Sequence, residues 1–362
     1  LCLVSLEQLS LKHVRKIDNC QITLESRFNI IEGANASSKT SLLEAIYLIS
    51  QVKSFRTHRI NHIIQHKKQD MEVVAKYRDN NQFTHVIGLR RSRSATKIHL
   101  NKQSINQSSK LAALVPIQVI TPESHRLLED GPKFRRQFLD WGVFHVKHEF
   151  LQIWKDYHRI LRQRNAALRQ NQSKQQITSW DQPLIEIAKR FHYSRLDYLE
   201  VLTPIVTKFT QQLTGEDISI EYQPGWDKEL SFTEALKKSF EQDCQFKHTR
   251  VGPHRADVSM KCQGIAVQVG FSRGQQKLLV CALRLAQIQY LQVLSNQSCI
   301  ILVDDLPAEL DKAHRERLMV LLEETQAQIF VSTTDASLLE VKGSTTKKVF
   351  HVEHGLIKEV VY

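Results

Sequence analysis

The sequence predicts an α/β protein in which one head domain, built from the first and last parts of the chain, is interrupted by a mainly helical domain. Short apolar runs near the N-terminus alternate like strands, and "IIEGANASSKTSLLEAIYLIS" then reads as strand, loop and helix. From about residue 124 to 245, apolar residues recur at helical spacing among many charges. Strand-like runs return after about 246. The predicted domains are therefore 1–123, 124–245 and 246–362.

The individual elements follow from local periodicity. The helix after the loop is predicted to bury Leu42, Leu43, Ile46 and Leu48 or Ile49 along one face. Residues 71–105 predict β-hairpins, and the polar "QNQSKQQITS" predicts a loop between two helices. Further on, "ADVSMKCQGIAVQV" predicts a hairpin, and a helix is predicted from 274. The runs "SCIILVDDL" and "AQIFVSTTD" predict two buried strands that end in polar residues.

Composition restricts the partners and the compartment. A net charge of +12 and a pI near 9.4 favour a polyanionic partner, nucleic acid before membrane, although a merely basic protein is the alternative. The most apolar run is broken by Arg284, so no membrane span is expected. The first residues lack the charged start of a signal peptide. Six cysteines without C-x-x-C spacing predict reduced thiols in a cytoplasm, and the histidines form no zinc pattern.

The stretch 31–42, "IIEGANASSKTS", is a variant of the phosphate-loop pattern G-x-x-x-x-G-K-[ST]. Backbone N–H groups of such a loop point at phosphate oxygens, helped by the positive end of the following helix. The lysine would neutralise phosphates and the threonine hydroxyl would bind Mg²⁺. An ordinary strand–turn–helix is the alternative. The candidate nucleotide-binding residues are Gly33, Ala34, Asn35, Ala36, Ser37, Ser38, Lys39 and Thr40.

Two aspartates end the predicted buried strand "CIILV". Asp304 and Asp305 would therefore lie at the carboxyl edge of a sheet, where open α/β folds bind ligands. Asp304 can hold Mg²⁺, directly or through water, and Asp305 can orient or deprotonate an attacking water. An acidic turn after a strand is the alternative.

A second anion site is predicted at the start of the long helix in "GFSRGQQKLLVCALRLAQ". The Ser272 hydroxyl, the Gly274 N–H and the helix N-terminus would form it, with Arg273 and Gln275 beside them. A simple helix cap is the alternative, but the position about 30 residues before the aspartate strand favours the anion site.

Together the three motifs resemble an ATP-binding-cassette (ABC) ATPase of the SMC-like kind, and the sequence is identified as a member of the bacterial RecF recombination-repair family. A transporter-type cassette would more often have glutamate after the strand aspartate and glycine in place of Arg273. The resembling stretches occur in the family's order over residues 33–311. They are "EGANASSKTSLLEAIYLIS", "KSFRTHRI", "ITPESHRLLEDGPKFRRQFLDW", "LRQRNAALRQ", "VGPHRADV", "FSRGQQKLLVCALRLAQ" and "VDDLPAELD".

The resemblance implies an ABC-type head with a mixed sheet, interrupted by a helical arm. It implies a homodimer closed around ATP and Mg²⁺, in which the loop of one subunit faces Ser272–Gly274 of the other and Asp311 lies near the interface. It further implies binding to gapped or double-stranded DNA, cooperation with RecR and RecO to load RecA, and slow ATP hydrolysis that acts as a switch.

The family has glycines where this chain has Ala36 and Ser38. If either position requires a positive φ, a Cβ there costs about 1–2 kcal/mol. Because Lys39, Thr40 and the later motifs are present, the sequence predicts weakened but real ATP binding. A nucleotide-impaired scaffold that binds DNA and RecR is the alternative.

The DNA surface is predicted only as a set of basic side chains, whose contacts would be mainly to phosphates and therefore salt-sensitive. The foremost candidates are Arg56, Arg59, Arg135, Arg136, Arg162 and Arg169; further ones are Arg90, Arg91, Arg93, Lys133, Arg159 and Arg164. For any one of them, a solvated surface charge is the alternative. In "VGPHRADV", His254 and Arg255 match a family motif without a mechanism that the sequence reveals.

Overall fold

Residues 5–57, 59–295, 297–305, 309–341 and 345–360 are described by a computed structural model of the chain. Their contacts group them into two units: unit 1 is Leu1–Ser124 with Cys281–Tyr362, and unit 2 is His125–Val280. The domain limits predicted from the sequence, at 123/124 and 245/246, stay a prediction.

The strands and helices have the following bounds. The strands are β1 Ser5–Val14, β2 Ile17–Thr23, β3 Phe28–Glu32, β4 Asp70–Arg78, β5 Thr84–Ser92, β6 Thr96–Leu100, β7 Gln103–Ser104, β8 Ile117–Ile120, β9 Ser219–Gln223, β10 Asp257–Cys262, β11 Ile265–Ala266, β12 Ile300–Val303, β13 Gln328–Thr333, β14 Lys347–Glu353 and β15 Leu356–Val360. The helices are α1 Lys39–Gln51, α2 Ser108–Leu114, α3 Arg126–Glu129, α4 Pro132–Val146, α5 Phe150–Arg169, α6 Lys174–Thr178, α7 Asp181–Thr214, α8 Phe232–Lys238, α9 Phe240–Phe246, α10 Val267–Gly270, α11 Arg273–Ser295 and α12 Lys312–Glu324.

One sheet of unit 1 carries the predicted loop and aspartates. Its order is β15-β14-β3-β13-β12-β8, parallel except for β15. Strands β12 and β13 are buried along their whole length, which confirms the two predicted buried strands. Because β3, β12 and β13 are parallel, the loop after β3 and Asp304 after β12 lie at the same sheet edge.

The other sheet of unit 1, β2-β1-β4-β5-β6-β7, is antiparallel and confirms the hairpins predicted for 71–105. Helix α1 shares a core with both sheets, and its predicted apolar face is buried. A fork of two hydrogen bonds, 2.8 and 2.9 Å, joins the Arg15 guanidinium to the fully buried Glu44 of α1. This pair fixes the helix that begins at the phosphate loop.

Unit 2 is mainly helical and contains the three-stranded sheet β11-β10-β9. The β10–β11 pairing confirms the predicted hairpin as far as Ala266, but the prediction is wrong for residues 267–269, which belong to α10. The prediction of a loop over "QNQSKQQITS" is wrong for Lys174–Thr178, which form α6. The reason is a capping box: Ser173 Oγ accepts from the Gln176 N–H, and the Gln176 side chain accepts from the Ser173 N–H.

Helix α11 contains the most apolar long segment of the chain. By length and composition, Arg273–Leu294 could cross a membrane, but 67% of its apolar window is buried inside the protein. Core helices of soluble proteins have the same properties, so the helix gives only weak grounds for a membrane span.

Candidate nucleotide site and basic surfaces

The phosphate loop leaves β3 at Gly33, which has to be glycine. Its φ is 156°, and a Cβ built there would lie 2.3 Å from the Val352 carbonyl oxygen and 2.8 Å from Ser37 Oγ. Both contacts are too short for a side chain, so the backbone of the loop lies directly against strand β14.

The two positions at which the sequence departs from the glycine pattern both have a left-handed backbone. The φ angle is 64° at Ala36 and 97° at Ser38. Because both φ angles are positive, the Cβ at each position costs about 1–2 kcal/mol. Ser38 immediately precedes α1, yet its side chain makes no capping hydrogen bond.

Lys39 is the first residue of α1, and its side chain is only 3% exposed. Its Nζ donates to the carbonyl oxygens of Gly33 (2.8 Å) and Ala34 (3.2 Å), and it lies 3.6 Å from Asp305 Oδ1. The ammonium thus lies inside the curve of the loop, where the carbonyls hold it against the aspartate.

Asp304 joins the loop to the neighbouring strands through two hydroxyl groups. Its Oδ1 accepts from Thr40 Oγ1 (3.0 Å) and from Ser332 Oγ (2.8 Å). Burial raises the pKa of the Asp304 carboxyl above its usual range, and these two hydrogen bonds oppose the rise. The charge of Arg56 also opposes the rise.

Asp305 follows in a left-handed conformation, with a φ of 45°. Its N–H donates to Ser332 Oγ at 2.8 Å, so the same serine contacts both aspartates. The Asp305 side chain is 33% exposed, unlike the largely buried Asp304. One carboxylate is therefore held inside the site while the next one faces solvent.

The donors of this site fit a polyphosphate with a divalent cation. Ser37 Oγ and Ser38 Oγ are buried and have no hydrogen-bond partner among the described residues. Unpaired buried hydroxyls are costly, and an anion within the loop would satisfy them. Thr40 and Asp304 offer the oxygen ligands that Mg²⁺ prefers. Across the described ranges no cluster of three or more His, Cys, Asp or Glu side chains suggests a different metal site.

The second predicted anion site lies in unit 2. Ser272 Oγ accepts from the Gln275 N–H (3.3 Å), and the Gln275 side chain accepts from the Ser272 N–H (3.0 Å), which forms a capping box. Ser272, Arg273 and Gly274 are exposed. A Cβ at Gly274 would meet only Ser272 Oγ, at 3.9 Å. The described part of the chain therefore does not itself require a glycine at this position.

Asp311, expected near a dimer interface, caps α12. It accepts from the His314 N–H at 3.0 Å, and its side chain is 64% exposed. Its exposure is compatible with a place at a dimer interface, which stays a prediction.

The basic candidates separate by burial. Arg56, Arg59, Arg162 and Arg169 are exposed, and Arg136 is half-buried. The prediction for Arg135 is wrong, because its guanidinium is 8% exposed and forms a fork with Asp257 at 2.7 and 2.9 Å. Arg164 is fully buried in a similar pairing, so it cannot contact a phosphate from solvent.

Two elements of the site escaped sequence reasoning. One is Ser332, which joins the two aspartates from the adjacent strand. The other is Ser54, whose Oγ donates to Glu44 of α1. The same oxygen accepts from the Arg56 N–H (2.9 Å) and the Thr57 N–H (3.0 Å). The segment that carries Arg56 is thereby fixed to α1. Ser54 lies in the resembling stretch "KSFRTHRI" and Ser332 in the predicted strand "AQIFVSTTD", but neither pattern assigns a role to its serine.

The class of protein follows from this fold and site. The chain matches the family described as RecF/RecN/SMC N terminal domain over residues 5–358. A solved structure of the recombination mediator protein RecF with ATP, from the RecFOR pathway, superposes with a TM-score of 0.88 at 23% identity, covering 99% of this chain and 98% of that one. An Smc head domain from Pyrococcus furiosus gives 0.62 at 16% identity, covering 99% and 96%. These likenesses confirm the predicted ABC-type, SMC-like fold class.

Relatives with higher sequence identity identify the family within this class. The DNA replication and repair protein RecF of Vibrio campbellii is 39% identical over 355 residues, covering 98% of this chain and 99% of the relative. That of Pectobacterium atrosepticum is 39% identical over 356 residues, covering 98% of each. The chain belongs to the RecF family of DNA replication and repair proteins, which confirms the resemblance found in its motifs.

Proposed function

We propose that this chain is an ATP-dependent DNA-binding protein of recombinational repair and replication-fork maintenance, and a slow ATPase whose cycle acts as a dimerisation switch. The observation that carries the proposal is that, at one sheet edge, Lys39 lies beside Asp305 and Thr40 bonds to Asp304. In this proposal it works in the cytoplasm, away from membranes. It binds gapped or double-stranded DNA without sequence preference and helps RecO and RecR to load RecA.

The loop residues would each have a distinct role. Lys39 would hold the β- and γ-phosphates with the loop N–H groups, while Thr40 and Asp304 would hold Mg²⁺. ATP, when bound, supplies a polyphosphate whose charge can join two copies of the chain. Lys39 can turn from the Gly33 and Ala34 carbonyls toward phosphate oxygens. That turn would withdraw its ammonium from Asp305, whose carboxylate could then orient a water molecule.

The second copy would contribute the exposed start of α11. Ser272 and Gly274 face solvent, and the glycine has no neighbour close enough to require it. Both properties suit close approach of a phosphate held by a partner subunit, with Arg273 and Gln275 beside it and Asp311 near the interface. DNA affinity would then be linked to nucleotide through dimerisation.

ATP-dependent dimerisation on gapped DNA tests the proposal, with sedimentation as the readout. The wild type is expected to dimerise only with ATP and Mg²⁺. Lys39→Ala should lose both nucleotide binding and the dimer. Ser272→Ala should lose the dimer but keep nucleotide binding by each copy, and that retained binding shows that the variant is folded. A dimer that forms equally without ATP would sink the switch.

A nucleotide-impaired scaffold is the second candidate, and the positive φ angles at Ala36 and Ser38 favour it. It predicts that binding to gapped DNA and to RecR is the same with and without ATP. It also predicts that Lys39→Ala matches the wild type in both assays. The switch predicts a difference in each.

Ser332→Ala should lower Mg²⁺-dependent ATP affinity by about 10–100-fold, because the hydroxyl that orients Asp304 and accepts from the Asp305 N–H is lost. ATP affinity without Mg²⁺ should hardly change, which a merely structural role would not predict. Ser50→Ala is the matched control, since Ser50 is also fully buried in unit 1 but lies on α1, outside the site. Equal effects of both variants on Mg²⁺ dependence would contradict the positioning role.

A further inference from the structure

Three arginines of unit 2 converge on the segment 252–257, "GPHRAD", whose role the sequence left open. Each reaches a different acceptor of that segment. The contacts are Arg195 Nη1 to Pro253 O at 2.6 Å, Arg136 Nη1 to Ala256 O at 2.8 Å, and the Arg135 fork to Asp257 at 2.7 and 2.9 Å. The segment is therefore held by side chains from α4 and α7.

The backbone of the segment is fixed from the inside by His254. The Tyr157 hydroxyl lies 2.6 Å from His254 Nδ1, and His254 Nε2 lies 3.1 Å from the Thr249 carbonyl oxygen. A carbonyl only accepts, so Nε2 carries the proton and Nδ1 accepts from the tyrosine. Burial lowers the pKa of His254 to about 4, which keeps the ring neutral in this role. A Cβ at Gly252 would lie 2.9 Å from the Tyr157 hydroxyl, so the turn needs its glycine.

This inner anchoring leaves Arg255 directed to solvent. Arg255 is exposed, and in the described structure it has no hydrogen bond or ion pair. The half-buried Arg136 bonds only to a carbonyl, whereas Arg135 and Arg195 are each paired with a carboxylate, Asp257 and Asp140 respectively. Four guanidinium groups thus share two carboxylates, and the excess positive charge belongs to Arg136 and Arg255.

His158 completes the group. It is half-buried on α5, and neither ring nitrogen has a hydrogen-bond partner among the residues whose positions are described. The His158 ring lies 5.5 Å from the ring of Tyr157, whose hydroxyl contacts His254. Arg136 bonds to the carbonyl of Ala256, the residue after Arg255. Burial, and next Arg195, lower the pKa of Arg136, with Arg255 adding to this. The carboxylates of Asp257 and Asp140 oppose this effect, and a bound anion would oppose it further.

We propose that Arg255, Arg136 and His158 form a phosphate-binding subsite of unit 2 that takes a backbone phosphate of double-stranded DNA. Two guanidinium groups with unused N–H donors and one imidazole N–H suit the oxygens of a tetrahedral anion. The exposure of Arg255 and the net charge of +12 favour a polyanion over a free phosphate. The assignment rests on the proposed DNA binding and adds the contact surface.

The test measures binding of the full chain, with ATP and Mg²⁺, to a fluorescent gapped duplex at several salt concentrations. Arg255→Gln should weaken binding about tenfold. It should also reduce the slope of log affinity against log salt by about 0.9, the share of one phosphate contact. The double variant with Arg136→Gln should weaken binding further without a second loss of slope of this size, because both arginines contact the same phosphate. The matched control is Arg190→Gln in the same unit, because Arg190 is 58% exposed but paired with Glu149. It should leave the slope unchanged.

The outcomes separate this assignment from the proposed function. If the wild type binds DNA and Arg255→Gln weakens it no more than Arg190→Gln, the subsite is overturned and the proposed function stands. If the wild type binds no DNA, the proposed function fails first. If inorganic phosphate binds in an Arg255-dependent manner while DNA binding does not depend on Arg255, the DNA assignment is overturned in favour of a free anion. Arg255→Lys should recover most of the slope but only part of the affinity.

Discussion

Replacing Ala36 and Ser38 together by glycine is expected to tighten ATP binding by about tenfold or more. Both positions have a positive φ, at which a Cβ costs about 1–2 kcal/mol, and each 1.4 kcal/mol is a factor of ten. In the free protein, strain lowers the fraction of loops that have the conformation required for binding. Relief of the strain raises that fraction, and ATP affinity rises in proportion. Equilibrium binding of labelled ATP measures it.

Relief of strain should also raise thermal stability. Each new glycine offsets part of this gain, because it stabilises the unfolded chain by roughly 0.5–1 kcal/mol. Lys102→Gly is the matched control, because Lys102 is exposed in unit 1, outside the site, with a φ of 68°. It should relieve strain without changing ATP affinity. If the loop variant also leaves ATP affinity unchanged, the loop is already preorganised and the prediction of weakened binding is wrong.

Ser38 needs a second comparison, because its side chain brings a hydroxyl as well as a Cβ. The buried Ser38 Oγ lacks a partner among the described atoms, so it could donate to a bound phosphate. Ser38→Ala keeps the strained backbone and removes only this hydroxyl. A fall in ATP affinity in Ser38→Ala would show that the serine hydroxyl binds phosphate and offsets part of the cost of the strained backbone. No change would mean that only backbone strain counts.

The main features of the head could be predicted because their causes are local. Hydrophobic runs that end in polar residues mark β12 and β13, and a strand followed by Gly33 and Lys39 marks the loop. The family pattern also marks Ala36 and Ser38 as the positions at risk. Whether φ is positive there depends on the folded backbone, however, so sequence reasoning stated only the condition.

The failures have their cause in tertiary pairing. Arg135 and Arg164 look like surface charges in sequence, but their partners Asp257 and Asp243 are 122 and 79 positions away. Ser332 was missed for the same reason, since only the pairing of parallel strands brings it to Asp304. Charge tells which side chains can contact phosphate, whereas burial and pairing decide which of them do.

Arg164→Met is expected to destabilise unit 2 by about 3–5 kcal/mol, the largest effect on stability predicted for the chain. Arg164 is fully buried and donates to Asp181 (2.8 Å), Asp243 (2.7 Å) and Thr249 Oγ1 (2.7 Å). Its removal leaves the fully buried Asp243 carboxylate without its counter-charge. Thermal or denaturant unfolding measures the loss. Arg159 on the same helix is 65% exposed and pairs with Asp156, so Arg159→Met should change stability by less than about 0.5 kcal/mol.

The deficit of Arg164→Met should depend on pH in a defined direction. Burial raises the pKa of Asp243 above its usual range even with Arg164 present, and loss of the guanidinium raises it further. A carboxyl whose pKa is raised on folding contributes stability below its unfolded pKa and loses it as pH rises through the folded pKa. The variant should therefore differ most from the wild type at neutral pH and approach it on acidification. DNA affinity, measured where both proteins are fully folded, should be unchanged, because the Arg164 guanidinium never reaches solvent. A variant as stable as the wild type but weaker on DNA would restore Arg164 to the phosphate-contacting surface.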